Sequence, residues 1–326
     1  MHLEDVNIEG FKSFSEKTNM SFQPGIGVII GNNGVGKSNI LDAIVWAMGE
    51  ENLRRLRCYS RDELFFTGSK DHPPAETAWV ELNFKTADQK DAPIVRLTRE
   101  TTRSGVDRYR VDQTTVSRDE YLSALATLKL NDVLRTIIRQ EEINDILLVD
   151  PWERFSAVQS LLGIEAAGPL ADCLMDAIDP LFQRYLKYLI PLGDATLMLP
   201  VNNGRRGLDL RVTLPGNRIR RAHQLSGGEK AITSLALKLA LFNNLDSDLF
   251  LLDEVEPSLD YTNHKSMQEF LKDVAANKQL VMITHLRSTI ALANTVHGVR
   301  TRFDGSSFMK FYFVMDERLL RLYRCC

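Results

Sequence analysis

Apolar residues in residues 3–22 are spaced as two short strands around Gly10-Phe11-Lys12-Ser13-Phe14. Gly27-Val28-Ile29-Ile30 then forms a continuous apolar run of the kind a strand buried on both faces carries. Over residues 39–48 the spacing changes: Ile40, Ile44, Ala47 and Met48 share one helical face, and Gly49 supplies the residue type that tolerates a left-handed helix stop. Residues 79–84, 94–98 and 109–111 alternate or cluster β-formers between loops such as Asp71-His72-Pro73-Pro74, which predicts an antiparallel layer. Helical spacing returns over 118–128 and 152–162.

The pattern changes again between residues 165 and 189. Gly168-Pro169 reads as a breaker that turns the chain between two helices, and the helical text after it is interrupted by Pro180. The expected organisation is therefore an N-terminal lobe over 1–164, a junction over 165–190 and a C-terminal lobe over 191–326. In the second lobe, strands are expected near 195–199 and 208–214, and a helix from Glu229 to about Asn243. An intensely apolar strand at 249–252 precedes a helix near 263–276, the strand 280–283 and a closing meander at 296–301 and 309–314.

Composition narrows the class. At 326 residues with 44% apolar and 25% charged positions, the chain is long and mixed enough for two packed lobes and is neither disordered nor a pure coiled coil. Lysine and arginine (40) nearly balance aspartate and glutamate (43), so any contact with DNA needs a local basic patch. One such patch is Arg205, Arg206, Arg211, Arg218, Arg220 and Arg221 around the lone acid Asp209; a solvated hairpin face is the alternative. Cys58, Cys173, Cys325 and Cys326 show neither a paired CxxC nor metal-ligand spacing and read as thiols of a reducing compartment. The start MHLEDVNIEGF carries acids where a signal peptide needs positive charge, and Lys238 breaks the longest apolar stretch, so a soluble intracellular protein without a membrane span is expected.

Gly31-Asn32-Asn33-Gly34-Val35-Gly36-Lys37-Ser38 satisfies the phosphate-loop pattern between a predicted strand and a predicted helix. Its glycines let backbone N–H groups turn toward phosphate oxygens at the helix N-terminus, Lys37 reaches the β- and γ-phosphates, and Ser38 offers a hydroxyl to magnesium. Downstream, the apolar run at 249–252 ends in Asp253-Glu254, which suits a buried strand delivering two carboxylates, one to hold the metal or its water and one to polarise the attacking water. Leu225-Ser226-Gly227-Gly228-Glu229 opens a helix with exposed backbone donors. Taken alone, that last element is more often an ordinary N-cap turn, and its value comes from the combination.

Together with Ser258-Leu259-Asp260 and Thr284-His285, these segments resemble the ATPase heads of the ABC superfamily. Within it, Gly10-Phe11-Lys12-Ser13-Phe14, the 39–44 stretch (NILDAI) and Leu225-Ser226-Gly227-Gly228-Glu229-Lys230 resemble SMC proteins, as does 137–140 (IIRQ) with Gln140 as the Q-loop glutamine. The resemblance covers nearly the whole chain. It lacks the coiled-coil arms and hinge that SMC proteins carry between the lobes, so the arms are either excised near residues 165–170 or naturally absent. It implies an α/β fold: a two-lobed ABC-type ATPase head with a mixed sheet core around the phosphate loop plus an antiparallel β layer.

The resemblance further implies ATP and Mg2+ as cofactors, with Gly31, Asn32, Asn33, Gly34, Val35, Gly36, Lys37, Ser38 and Asn39 on the triphosphate and Lys12, Ser13 and Arg57 nearby. Ser38 and Gln140 would ligate magnesium, Asp253 would support it through water, Glu254 would act as general base and His285 would sense the γ-phosphate. Leu225 to Glu229 would bind the ATP of a partner head, with Asp260 in the D-loop. Glu256-Pro257 departs from the family's usual D-loop entry, which puts the turnover rate in question. The implied function is a head that dimerises around two ATP molecules and couples hydrolysis to DNA organisation, contacting DNA independently of sequence and a kleisin-type bridging subunit. The expected location is cytoplasmic at the nucleoid, or nuclear in a eukaryote. A RecF- or RecN-like repair ATPase is the alternative; a transporter subunit fits poorly, because an extra antiparallel layer and a junction separate Gly31 from Leu225.

Overall fold

The computed structural model describes residues 1–86, 92–216, 218–256 and 264–314. Chain contacts divide the molecule into one unit of Met1–Ile137, Ser247–Glu254 and Asn277–Cys326, and a second of Ile138–Asp246 and Val255–Ala276.

In the first unit an antiparallel sheet runs in the order Thr18–Ser21, His2–Glu9, Thr77–Lys85, Ile94–Thr102, Asp107–Val111, Thr114–Val116. A second sheet places Ser307–Val314 beside Thr295–Thr301, then Ile26–Ile30, Gln279–Ile283 and Leu249–Asp253. The last four of these strands are parallel, and Ile26–Ile30, Gln279–Ile283 and Leu249–Asp253 carry the nearly unbroken apolar sequences of strands covered on both faces. The helix Lys37–Ala47 contributes Ile40, Leu41, Ile44 and Trp46 to the core, where the Trp46 ring lies 5.4 Å from that of Phe11. Arg99, itself buried, lies over Trp46 and donates to the carbonyls of Trp46 and Glu50, so it ties the strand Ile94–Thr102 to the end of this helix and the residues just after it.

In the second unit Asp150 caps the helix Pro151–Leu162, accepting from Trp152 N at 2.8 Å and Glu153 N at 2.9 Å, and Gly163 ends it in the left-handed conformation at φ 67°. The buried Arg154 ties this helix to its surroundings by donating to the carbonyls of Ile146, Val149 and Leu208. Gly168-Pro169 does not form the turn predicted for it. Both residues lie in the first turn of the helix Ala167–Cys173, where a proline loses no hydrogen bond, and the chain turns earlier, between Gly163 and Ala166. Nor does Pro180 break the helical run. A π-helical turn, Leu174–Ile178, leads into the helix Asp179–Leu189, and this wider turn accommodates the missing N–H and the bulk of the ring.

The basic stretch forms an antiparallel pair of Asp209–Leu214 with Arg218–Arg221, set beside Asp194–Met198. Arg221 pairs with Asp209 at 2.9 Å, whereas Arg205, Arg206, Arg211 and Arg218 are exposed. Among the described residues no helix is long and apolar enough to cross a membrane.

His297, on the strand Thr295–Thr301, is fully buried between the rings of Phe22 (4.5 Å) and Tyr312 (5.0 Å), and burial pushes its pKa down to about 4. The unfolded chain, with an imidazole pKa of about 6.5, takes up the proton first, so the neutral ring's contribution is complete above about pH 6.5 and is lost as pH falls toward 4. At about 1.4 kcal/mol per pH unit between those values, the loss is roughly 3 kcal/mol. Urea midpoints measured between pH 7 and pH 4 are expected to fall steeply in the native protein and more shallowly in His297→Phe; identical slopes would refute this account.

Candidate functional site

The phosphate loop bridges the end of Ile26–Ile30 and the start of Lys37–Ala47, so strand and helix fix both of its ends. Gly36 is the N-cap residue at φ 93°, and a Cβ there would run into Ser307 Oγ and Ser13 Oγ, so only glycine fits. Ser307 Oγ donates to the Val35 carbonyl at 2.8 Å and lies 2.7 Å from Ser13 Oγ, which in turn accepts from Asn39 Nδ2 at 2.8 Å. The loop is thus braced from behind by a hydroxyl that no motif announced. Asn32, Asn33 and Gly34 face outward at the loop's tip.

Lys37 is almost fully buried, and its Nζ donates to the carbonyls of Gly31 (3.0 Å) and Asn32 (3.1 Å). The same atom lies 3.2 Å from His285 Nε2 and 3.4 Å from Glu254 Oε1, and His285 Nε2 and Glu254 Oε1 are themselves 2.8 Å apart. Glu254 reaches this position from the end of Leu249–Asp253 with its backbone at φ 49°, a conformation uncommon for a residue with a long side chain and one that clusters at functional sites. Its N–H donates to the Ile283 carbonyl at 3.0 Å, which ties the acidic end of this strand to the neighbouring strand that ends just before Thr284-His285. Ser38 Oγ donates to Asp253 Oδ1 at 3.1 Å.

Ser38 and Asp253 therefore set two hard oxygen donors side by side at a helix N-terminus, a donor set that fits Mg2+ together with phosphate oxygens and water. Beside the loop, a cleft of about 400 Å³ is lined by Lys12, Ser13, Asn39 and Arg57 and also by Phe66 and Asp304. Phe66 and Asp304 carried no recognisable signal in the sequence.

Gln140 and the signature segment belong to the second unit. Gln140 opens an exposed 3-10 turn, Gln140–Glu142. Ser226 caps the helix Gly227–Phe242: its Oγ accepts from Glu229 N at 3.4 Å while Glu229 Oε2 accepts from Ser226 N at 2.8 Å, a reciprocal capping box. Leu225 is buried beneath, and Ser226, Gly227 and Gly228 are exposed, with open space where each glycine's Cβ would lie. The D-loop residue Asp260 lies outside the described residues. Among the described residues no group of three or more His, Cys, Asp or Glu side chains forms a metal cluster.

A phosphate loop between a parallel strand and a helix, an adjacent strand ending in Asp253-Glu254 and a large antiparallel layer define an ABC-type ATPase head. The chain belongs to the RecF/RecN/SMC N terminal domain family, which matches residues 2–307, and it is an SMC ATPase head. A crystal structure of an Smc head bound to the C-winged helix domain of ScpA superposes with a TM-score of 0.87 at 29% identity, covering 98% of this chain and 100% of that one. The SMC head domain from Thermotoga maritima gives a TM-score of 0.70 at 28% identity, covering 97% and 100%. The Chromosome partition protein Smc of Fusobacterium nucleatum is 33% identical over 168 residues, 51% of this chain and 14% of that protein. That of Halobacteriovorax marinus is 34% identical over 173 residues, 50% of this chain and again 14% of the relative.

Proposed function

We propose that this head binds ATP with Mg2+ at the phosphate loop, hydrolyses it in a dimer and couples the cycle to chromosome organisation. The observation that carries the reading is the meeting of Lys37, Glu254 and His285 within 3.4 Å at the start of a helix whose Ser38 contacts Asp253. Lys37 and the loop's N–H groups orient the β- and γ-phosphates. Ser38, with Asp253 behind it, would hold Mg2+, which when bound would supply charge neutralisation at the phosphate oxygens. Glu254 accepts the proton of the attacking water on a carboxylate oxygen, and His285, hydrogen-bonded to that carboxylate, fixes its orientation.

The second half of each site comes from another head. Ser226, Gly227 and Gly228 offer an exposed, positively polarised helix N-terminus; the Ser226 N–H is taken by Glu229 in the capping box, and the N–H groups of Gly227 and Gly228 stand outside that box, which suits the γ-phosphate of a partner's ATP. A solved relative is bound to the C-winged helix domain of ScpA, and we infer a kleisin-type bridging subunit for this chain as well. DNA is the substrate of the cycle, contacted independently of sequence, with the exposed arginines 205, 206, 211 and 218 as one contact surface. Whole-head similarity to Smc favours this reading over a RecF- or RecN-like repair enzyme. The test is turnover against concentration: ATP hydrolysed per chain is expected to rise with protein concentration and then saturate. A rate per chain independent of concentration, in protein that sediments as a monomer, would exclude the two-chain site.

A further inference from the structure

Asp42 lies inside the helix Lys37–Ala47 with no exposed surface, and a buried carboxylate needs compensating charge. Lys12 and Arg57, from two loops, both meet it. Lys12 Nζ donates to Asp42 Oδ2 at 2.6 Å, and Arg57 donates to the same oxygen from Nη2 at 2.6 Å and from Nε at 3.1 Å. Lys12 also donates to the carbonyl of Leu56, the residue before Arg57. Both cations sit on left-handed backbone, Lys12 at φ 48° and Arg57 at φ 55°, a conformation that long side chains keep only where their surroundings impose it.

Arg57 points past Asp42 toward the phosphate loop. Its Nη1 is 3.9 Å from Asp253 Oδ2, on the carboxylate that accepts from Ser38, and it lines the same cleft as Ser13 and Asn39. Its guanidinium, about one-third exposed, therefore stands between a buried carboxylate and the loop that receives phosphate.

We propose that Asp42 is the resting anchor of Arg57 and that Lys12 keeps this carboxylate compensated when Arg57 turns from it to the nucleotide's phosphates. The proposal rests on the ATP-site reading given above and adds a control on it. With Lys12 present, release of Arg57 leaves the 2.6 Å Lys12–Asp42 pair in place, so the exchange of one anion for another is inexpensive. With Lys12 neutralised, the buried charge leans on Arg57, which then stays on Asp42 and contributes little to nucleotide binding. Lys12 thus acts on ATP through Asp42 and Arg57, whereas a lysine that touched the nucleotide itself would be insensitive to the charge at position 42.

The two cases differ in a double variant. ATP dissociation constants are measured for the full chain and for Lys12→Met, Arg57→Ala, Asp42→Asn, Lys12→Met/Asp42→Asn and Lys37→Ala, each with its thermal unfolding curve. Lys12→Gln replaces Lys12→Met if the latter loses structure. Lys12→Met and Arg57→Ala are each expected to weaken ATP binding about tenfold, the scale seen when a supporting partner of a binding group is lost. Lys12→Met/Asp42→Asn is expected to return to within about threefold of Asp42→Asn, because neutralising the anchor frees Arg57. A double variant as weak as Lys12→Met, or a Lys12→Met that binds like the native chain, overturns the proposal. If the native chain fails to bind ATP, or Lys37→Ala binds it equally well, the ATP-site reading itself fails and the anchor fails with it.

Discussion

Glu254→Gln is expected to slow ATP turnover by about two to four orders of magnitude while ATP affinity stays within a few-fold of the native value. The carboxylate contacts both Lys37 and His285, and its amide counterpart keeps the shape and the hydrogen-bonding oxygen but cannot take up a proton. Removing charge beside Lys37 also makes the pocket more positive, which favours retention of the triphosphate. Nucleotide held without hydrolysis should accumulate the two-head complex, so light scattering of Glu254→Gln with ATP and Mg2+ is expected to report a dimer that persists where the native protein returns to monomers. Turnover within tenfold of native, or a variant that stays monomeric under those conditions, would remove Glu254 from the role of base.

How much of this was legible in the sequence depends on how local the signal is. The phosphate loop is contiguous and bounded by an apolar strand and a helical pattern, so its geometry follows from a few neighbouring residues. Even there the helix starts at Lys37, three residues before the first position of the apolar periodicity, Ile40, because Gly36 in a left-handed conformation can serve as N-cap without a side-chain oxygen. The capping box at Ser226 and Glu229 is equally local.

The union of Lys37, Glu254 and His285 spans most of the chain, and resemblance to a known family, rather than spacing, pointed to it. Ser307, which holds the loop through Ser13 and Val35, sits on a strand with no motif of its own and stayed invisible. Proline misled twice, at Pro169 and Pro180. Its effect on a helix depends on whether the N–H it lacks would have been used and whether the preceding turn widens, and neither condition is written in the residue itself. Asp42 reads in the sequence as one polar position on an apolar helix, and only the fold reveals two cations on it.

Ser226→Arg separates the two halves of the composite site. Ser226 is exposed at the N-cap of a long helix in the second unit, while Lys37, Ser38, Asp253, Glu254 and His285 all belong to the first. Losing the serine cap weakens the helix start by about 1 kcal/mol, too little to unfold a domain of this size. The arginine's bulk, however, occupies the space in which the small Ser226-Gly227-Gly228 surface would receive a partner's γ-phosphate. ATP binding to the variant is expected to stay within about threefold of native, since the phosphate-loop residues belong to the other unit, and turnover is expected to vanish at every protein concentration. Ser226→Ala supplies the control: it also loses the cap but adds no bulk, so it should retain measurable turnover that still rises with concentration. Mixing Ser226→Arg with Glu254→Gln heads sharpens the result, because a mixed dimer contains one site that pairs an intact Glu254 with an intact Ser226 and should regain part of the native rate. Turnover by Ser226→Arg alone at the native rate would show that each head hydrolyses ATP without its partner's helix, and no recovery in the mixture would mean that the two segments do not meet across a dimer.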